Sequence, residues 1–229
     1  MKCRGLAVVL ALVLSACGGE APVPSPSPSA SVAADAVPVS GPARLVLAFG
    51  DSLFAGYGVE RGESYPAKLE AALRARGIDA TVVNAGVSGD TTAAGRQRLA
   101  FVLDGLAKAP DLAIVELGGN DLLRGLPPTE TRANLDAILK DLTARGIPVV
   151  LMGMRSPPNP GPEYQQAFDA IYPALADTYD TELVPFFLAP VWGKPDLIQQ
   201  DRVHPTAQGI DALVAATSDE VADALPDAD

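Results

Sequence analysis

Cysteine is almost absent. The chain of 229 residues holds two, Cys3 and Cys17, and both lie in the first 17 positions. The rest of the chain can therefore hold no disulfide, no thiolate zinc site and no cysteine-ligated iron–sulfur cluster. Histidine occurs once, at His204. That excludes zinc sites of two or three histidines and leaves one residue for imidazole chemistry. Cations are scarce, at 17 Lys and Arg against 28 Asp and Glu, for a formal net charge of -11. Nucleic acid is excluded as the main partner, because phosphate binding needs Lys and Arg. Aromatics are few, at 5%. Apolar residues nonetheless make up 48%, too many for a disordered protein. The length suits one domain with residues to spare.

The spare residues come first. Residues 1–17 read MKCRGLAVVLALVLSAC. Lys2 and Arg4 precede nine unbroken apolar residues, Leu6 to Leu14, then small Ser15 and Ala16. This is the pattern of a secretory signal peptide, shorter than the ~20 residues that span a bilayer. Leu14-Ser15-Ala16-Cys17 resembles a bacterial lipobox. The resemblance implies cleavage after residue 16 and lipidation of Cys17, where several acyl chains would give stable anchoring. Gly18 follows, not the Asp that often retains such proteins at the inner membrane. The expected location is the bacterial cell envelope, on the periplasmic side of the outer membrane, with membrane contact through the lipid alone. Residues 18–43 hold six Pro and five Ser in 26 positions and no hydrophobic period. Such a stretch favours extended, solvated polyproline II and serves as a tether of at most roughly 80 Å.

From Arg44 to about residue 225 the texture is that of a folded domain. Leu45–Phe49, Thr81–Val83, Leu112–Val115, Pro148–Met152 and Leu183–Val184 read as strands. Between and after them, apolar residues recur at helical spacing. The sets are Leu69/Ala72/Leu73, Leu99/Val102/Leu103/Leu106, Leu135/Ile138/Leu139/Leu142, Phe168/Ile171/Tyr172/Leu175 and Ile210/Leu213/Val214/Thr217. Gly77 and Gly146 stop two of them. Strands that are apolar throughout are covered on both faces. The expected fold is α/β: a three-layer α/β/α sandwich on a five-stranded parallel sheet, flavodoxin-like. Ligands bind such sheets at the carboxyl ends of the strands.

Four strand-end loops carry chemistry. They are Gly50-Asp51-Ser52-Leu53, Asn84-Ala85-Gly86-Val87-Ser88-Gly89-Asp90, Gly118-Gly119-Asn120-Asp121 and, before the last helix, Asp201-Arg202-Val203-His204-Pro205. A serine hydroxyl needs an adjacent base. The base needs an orienting acceptor, and the oxyanion needs fixed donors. Ser52, His204, Asp201, the Gly89 N–H and the Asn120 amide match these needs. Pro205 suits the first turn of the final helix. Asp51 and Asp90 read as braces of their loops, and Glu116 as the end of a strand, pairing locally. Each piece alone is commonplace; in this order at strand ends they are specific.

The four blocks resemble those of the GDSL or SGNH hydrolases, within them the branch of bacterial periplasmic thioesterases, lysophospholipases and arylesterases. Residues 115–125, 167–176 and 183–187 carry that closer likeness. The resemblance implies Ser52 as nucleophile, His204 as base and Asp201 as its orienter. It implies an oxyanion hole of the Ser52 N–H, the Gly89 N–H and Asn120. The expected reaction is hydrolysis of carboxylic esters or thioesters through an acyl-enzyme, on a small acyl ester or lysolipid, with no metal and no organic cofactor. Residues 122–128 and 186–197, Trp192 among them, are candidate walls for an acyl chain or plain packing. Two rival readings share the landmarks: a carbohydrate O-acetyl esterase, and a non-catalytic envelope binding module. A nucleotide-binding role is weak, for the chain has neither G-x-G-x-x-G nor a P-loop. It also lacks the G-x-S-x-G of an α/β-hydrolase elbow.

Overall fold

A computed structural model describes residues 38–227. The signal segment, Cys17 and most of the tether lie outside the described residues. Five strands run in parallel: β1 (Ser40–Gly50), β2 (Ile78–Gly86), β3 (Leu112–Glu116), β4 (Val149–Met152) and β5 (Glu182–Val184). Their order is β2-β1-β3-β4-β5. The chain winds one way from β1 to β2, then returns past β1 to β3. The gap between the ends of β1 and β3 is thus the topological switch point, where a parallel sheet opens a crevice.

The helices are α1 (Ser52–Ala55), α2 (Tyr65–Ala75), α3 (Thr92–Asp104), α4 (Gly119–Leu123), α5 (Pro128–Ala144), α6 (Pro162–Asp169), α7 (Ile171–Tyr179) and α8 (Ala207–Asp223). In one layer α2 packs on α8, and the buried Tyr65 hydroxyl shares a 2.7 Å hydrogen bond with the Thr217 hydroxyl. In the other, α5 packs on both α3 and α7. All of β3 and β4 is buried, as are the last five residues of β1. That is why these strands read as unbroken apolar runs.

The structure departs from the sequence reading in several places, and β2 runs on through residues 84–86. β1 starts at Ser40, whose N–H reaches the Gly77 carbonyl at 2.7 Å, so its first residues come from the Pro/Ser-rich stretch. The apolar set around Phe168 and Leu175 is two helices, broken at Ala170. Pro173 explains the break: it has no N–H for the Asp169 carbonyl, and its ring would press on that turn. Pro205 is not in the first turn of the last helix. It pairs with Ile198 in an isolated antiparallel bridge, and Thr206 caps α8, its hydroxyl accepting the Gly209 N–H at 3.2 Å.

Candidate active site

Ser52 is the first residue of α1, directly beyond β1. Asp51 caps that short helix, its Oδ1 accepting the Leu53 N–H at 3.0 Å. The turn is tight because Gly50 has no side chain. A Cβ there would lie 2.8 Å from the Glu116 carbonyl, the Glu116 Oε2 and the Phe54 ring. Gly56, with φ +84°, ends α1 after one turn, where the left-handed region favours glycine. The serine is buried apart from the edge that faces the cleft.

His204 and Asp201 come from the loop between β5 and α8. The loop is organised locally. Asp201 Oδ1 accepts the Val203 and His204 N–H groups at 2.9 and 3.0 Å, a turn of the kind Asp side chains form with the backbone two and three residues on. Its Oδ2 lies 2.7 Å from His204 Nδ1. A carboxylate only accepts, so Nδ1 carries the hydrogen and Nε2 presents its lone pair. Nε2 is 2.8 Å from Ser52 Oγ. Burial works to raise the Asp201 pKa. The His204 ring, the two backbone N–H groups and the imidazole charge overcome it and hold the carboxyl at about 2. Gln199 closes the loop and ties it to the turn after α1: its N–H reaches the His204 carbonyl at 2.7 Å, and its amide the carbonyls of Tyr57 and Pro205 at 2.8 and 2.9 Å. The Tyr57 ring lies against the imidazole, centroids 4.3 Å apart.

Gly89 and Asn120 line the same cleft as Ser52 and His204. Gly89 has φ +87°. Its carbonyl accepts from Arg124 at 2.7 Å, and its N–H has no partner among the described residues. Nor has the N–H of Ser52. Asn120 donates one amide hydrogen to Asp51 Oδ2 at 2.9 Å, which leaves the second for the cleft. Gly118 turns the chain into α4 at φ +113°, where a Cβ would lie 2.2 Å from the Tyr172 hydroxyl. Three donors, a serine and a relay from Oγ to a carboxylate thus converge at the switch point. The arrangement suits attack on a carbonyl and stabilisation of the oxyanion that follows.

Comparison with known proteins identifies the family. Residues 48–212 match the GDSL-like lipase/acylhydrolase family. The chain belongs to that family. Esterase TesA of Pseudomonas aeruginosa is 42% identical over 163 residues, 71% of this chain and 80% of that protein. Thioesterase 1/protease 1/lysophospholipase L1 of Escherichia coli K12 is 42% identical over 163 residues, 71% of this chain and 76% of that protein. AlinE4, an SGNH-hydrolase family esterase with a crystal structure, is 65% identical with a TM-score of 0.70, covering 82% of this chain and 100% of that one. This GDSL hydrolase is therefore an enzyme that acts on ester bonds.

Behind Ser52 of this hydrolase lies a buried brace that sequence reasoning only half saw. Glu116 ends β3 as expected, but it does not pair locally. Its Oε2 accepts the Asp51 N–H at 3.2 Å, across 65 positions, and its Oε1 is buried without a partner among the described residues. Complete burial, then the neighbouring Asp51 carboxylate, push its pKa well above the carboxylate range. Burial raises Asp51 too, against bonds from Leu53, Glu116 and Asn120 and the His204 charge. Of the two, Glu116 is raised further: Asp51 keeps donors from Leu53 and Asn120, and Glu116 Oε1 has no partner among the described residues. Asp121, also buried, accepts from the Thr92 N–H and hydroxyl at 2.8 and 2.5 Å. Asp90 is a brace as expected, through Arg98 at 2.6 Å. That Arg98 also donates to the Gly50 carbonyl at 2.9 Å and lies 4.1 Å over the Phe49 ring. Strand-end position was the one signal for Glu116; its partner was not readable from spacing.

The cleft of the hydrolase is about 1090 Å³. Of the two expected walls, Leu122 and Leu123 contribute from the first, but residues 124–128 do not. From the second, Phe186, Leu188, Val191 and Trp192 line it, with Trp192 edge-on to Phe186 at 5.5 Å. Met154 and Arg155 follow β4 and complete the wall, a contribution the pattern of β4 did not announce.

Proposed function

We propose that Ser52 is the nucleophile of this ester hydrolase, His204 its general base and Asp201 the group that orients His204. The Ser52 and Gly89 N–H groups and the Asn120 amide are the oxyanion donors. The observation that carries this reading is the unbroken relay, 2.8 Å from Ser52 Oγ to His204 Nε2 and 2.7 Å from Nδ1 to Asp201. Oγ attacks the acyl carbonyl while Nε2 takes its proton. The tetrahedral intermediate collapses as Nε2–H protonates the leaving alcohol or thiol, and the acyl group stays on Ser52. Water then attacks, His204 takes its proton, and the acid leaves with Ser52 Oγ reprotonated. Leu122, Met154, Leu188 and Val191 give the cleft an apolar wall, which suits acyl chains of carboxylic esters and thioesters better than the acetyl group of a sugar. The names of the thioesterase and lysophospholipase relatives support the same substrate classes. The lipobox supports a lipoprotein anchored through Cys17 in the cell envelope; palmitate labelling that persists in Cys17→Ser would remove that part.

The test is a rate series on p-nitrophenyl esters of rising chain length, with Ser52→Ala beside the wild type. Wild type should accept chains well beyond acetyl and take a fluorophosphonate label at Ser52. Ser52→Ala should lose both hydrolysis and label. Hydrolysis by purified Ser52→Ala protein defeats the covalent mechanism, and activity confined to acetyl esters assigns the cleft to O-acetyl groups.

A further inference from the structure

The surface around the cleft mouth is unlike the rest of the molecule. Six large hydrophobic side chains among the described residues are exposed. Three of them, Tyr57, Leu123 and Trp192, line the cleft, and a fourth, Val87, immediately precedes Ser88 and Gly89 on its wall. Trp192 is 58% exposed and Leu123 64%. In water such a cluster is a cost, whereas scattered single residues are normal.

Charge is distributed against the trend of the chain as well. Arg155, Lys194 and Arg202 line the cleft, and none of them forms an ion pair among the described residues. Arg155 lies over the Phe186 ring, centroid distance 5.8 Å, and Lys194 reaches only the Pro190 carbonyl at 2.8 Å. The one carboxylate on the cleft lining is Asp51, which is buried. Asp201 is committed to His204, and Asp196, two residues after Lys194, is not on the lining. In a chain of 28 acids and 17 bases, a rim of free cations stands out.

We propose that the cleft mouth is a docking face for an anionic lipid surface. Tryptophan settles at the headgroup level of a bilayer, and Leu123 and Val87 would sit just below it. Arg155, Lys194 and Arg202 can lay their stems on this apolar ground and hold lipid phosphates with their charged ends. The net negative charge of the whole does not prevent it, because at physiological ionic strength charges beyond about 8 Å are screened. A dissolved anionic ester would use the cations but leave the apolar rim in water; a lipid surface uses both. The proposal rests on the reading of this cleft as an acyl-ester site and adds a step to it. A membrane-borne acyl chain enters from the bilayer without crossing water. It also adds a second membrane contact to the lipid expected at Cys17.

The experiment uses the full mature chain with Cys17→Ser and Ser52→Ala, so that neither an anchor nor hydrolysis contributes. The protein is mixed with sucrose-loaded vesicles of diacyl phosphatidylglycerol or phosphatidylcholine. Trp192 is the sole tryptophan, so emission reports this face alone. With phosphatidylglycerol the protein should co-sediment, its emission should shift to the blue, and brominated acyl chains should quench it. Arg155→Ala with Lys194→Ala should weaken partition by roughly thirty-fold. Leu123→Ser should also weaken it, and Phe101→Ser, which changes an exposed residue of α3 outside the mouth, should not. Absence of co-sedimentation overturns the proposal. So does co-sedimentation without quenching of Trp192, equal partition into both lipids, or a blue shift produced only by monomeric short-chain lipid. Ester hydrolysis by the Ser52 protein is read separately on soluble p-nitrophenyl substrates, so either reading can fail alone.

Discussion

The two halves of the site are built by different means. The half with Ser52, Gly89 and Asn120 stands on the ends of β1, β2 and β3, and its supports are buried and distant in sequence. Glu116 reaches the Asp51 N–H, Asn120 reaches the Asp51 carboxylate, and Arg98 reaches the Gly50 carbonyl. The half with Asp201 and His204 stands on a loop with exposed backbone, held mostly by bonds within seven residues, from Gln199 to Pro205. The first half is stiff because unfolding it means breaking the core. The second is stiff only as far as a hydrogen-bonded turn is, and Gln199 with Tyr57 is its main link to the first. Reactions that need a nucleophile and oxyanion donors in fixed register gain most from the first kind of support. A base that accepts and returns a proton needs its tautomer set, which a local carboxylate accomplishes.

The largest effect that separates the halves is expected at Asp201→Asn. The amide can no longer accept unambiguously from Nδ1–H, and the tautomer that presents a lone pair to Ser52 loses its support. A fall in kcat of up to about 10⁴ follows the triad precedent. Stability should change little, since the side chain is over a third exposed. Melting curves and kcat measured on the same preparation test this; a large drop in Tm would mean that the loop is not the local unit described. The pH profile adds a second check. Asp201, held at about 2, stays ionised at every pH where the enzyme is assayed. Asp201 therefore adds no acid limb to kcat/KM, and the proposed base role of His204 requires activity to rise as its ring sheds the proton. As the only histidine, its NMR titration should have the same midpoint as the kinetic limb; a mismatch takes the base role from it.

Asn120→Ala is the next effect in size and belongs to the buried half. Removing one oxyanion donor typically lowers kcat by roughly 10²–10³. Here the same change also strips Asp51 of the bond at 2.9 Å. Loss of a partner from a buried charged group costs about 1–3 kcal/mol or more. The variant should therefore lose both rate and Tm, where Asp201→Asn loses mainly rate. An Asn120→Ala protein with full rate and lowered Tm would make Asn120 a brace and nothing more.

The asymmetry also governs what the sequence made legible. The five strands and the β/α alternation were readable because both faces of the sheet are covered, so each strand shows as an apolar run. The Asp201-to-His204 unit was readable because its contacts are local and the spacing encodes them. Ser52, Gly89 and Asn120 were readable as strand-end residues, and the family likeness joined them. What spacing cannot carry is contact across the fold. Glu116 facing Asp51, Arg98 under Gly50 and Asp121 on Thr92 each join segments at least 29 residues apart. The break at Ala170 was encoded, in Pro173, but the apolar period ran through it. Met154 and Arg155 were hidden because their wall forms only when the loop after β4 meets the segment after β5.

Glu116→Gln is the mildest change and the most direct test of the buried half. Glutamine keeps the shape and an acceptor for the Asp51 N–H. It also removes the need to hold a proton. In the wild type, folding raises the Glu116 pKa well above its unfolded value. Between those two values the native protein binds one more proton than the unfolded chain, so stability is greatest at low pH and is lost as pH rises. The slope is at most about 1.4 kcal/mol per pH unit. Every other titrating group is shared by the two proteins, and the difference between them isolates this one. The Tm of Glu116→Gln should match the wild type near pH 4 and then pull ahead, by up to roughly 3–6 °C per pH unit for a domain of this size. Its kcat should stay within a few-fold, because the Asp51 cap and the Asn120 bond remain. A Tm difference that is flat from pH 5 to pH 8 would show that Glu116 is ionised in the fold. The unpartnered Oε1 would then be a buried charge, and the stiffness of the half that holds Ser52 would have to come from Arg98 and Asn120 instead.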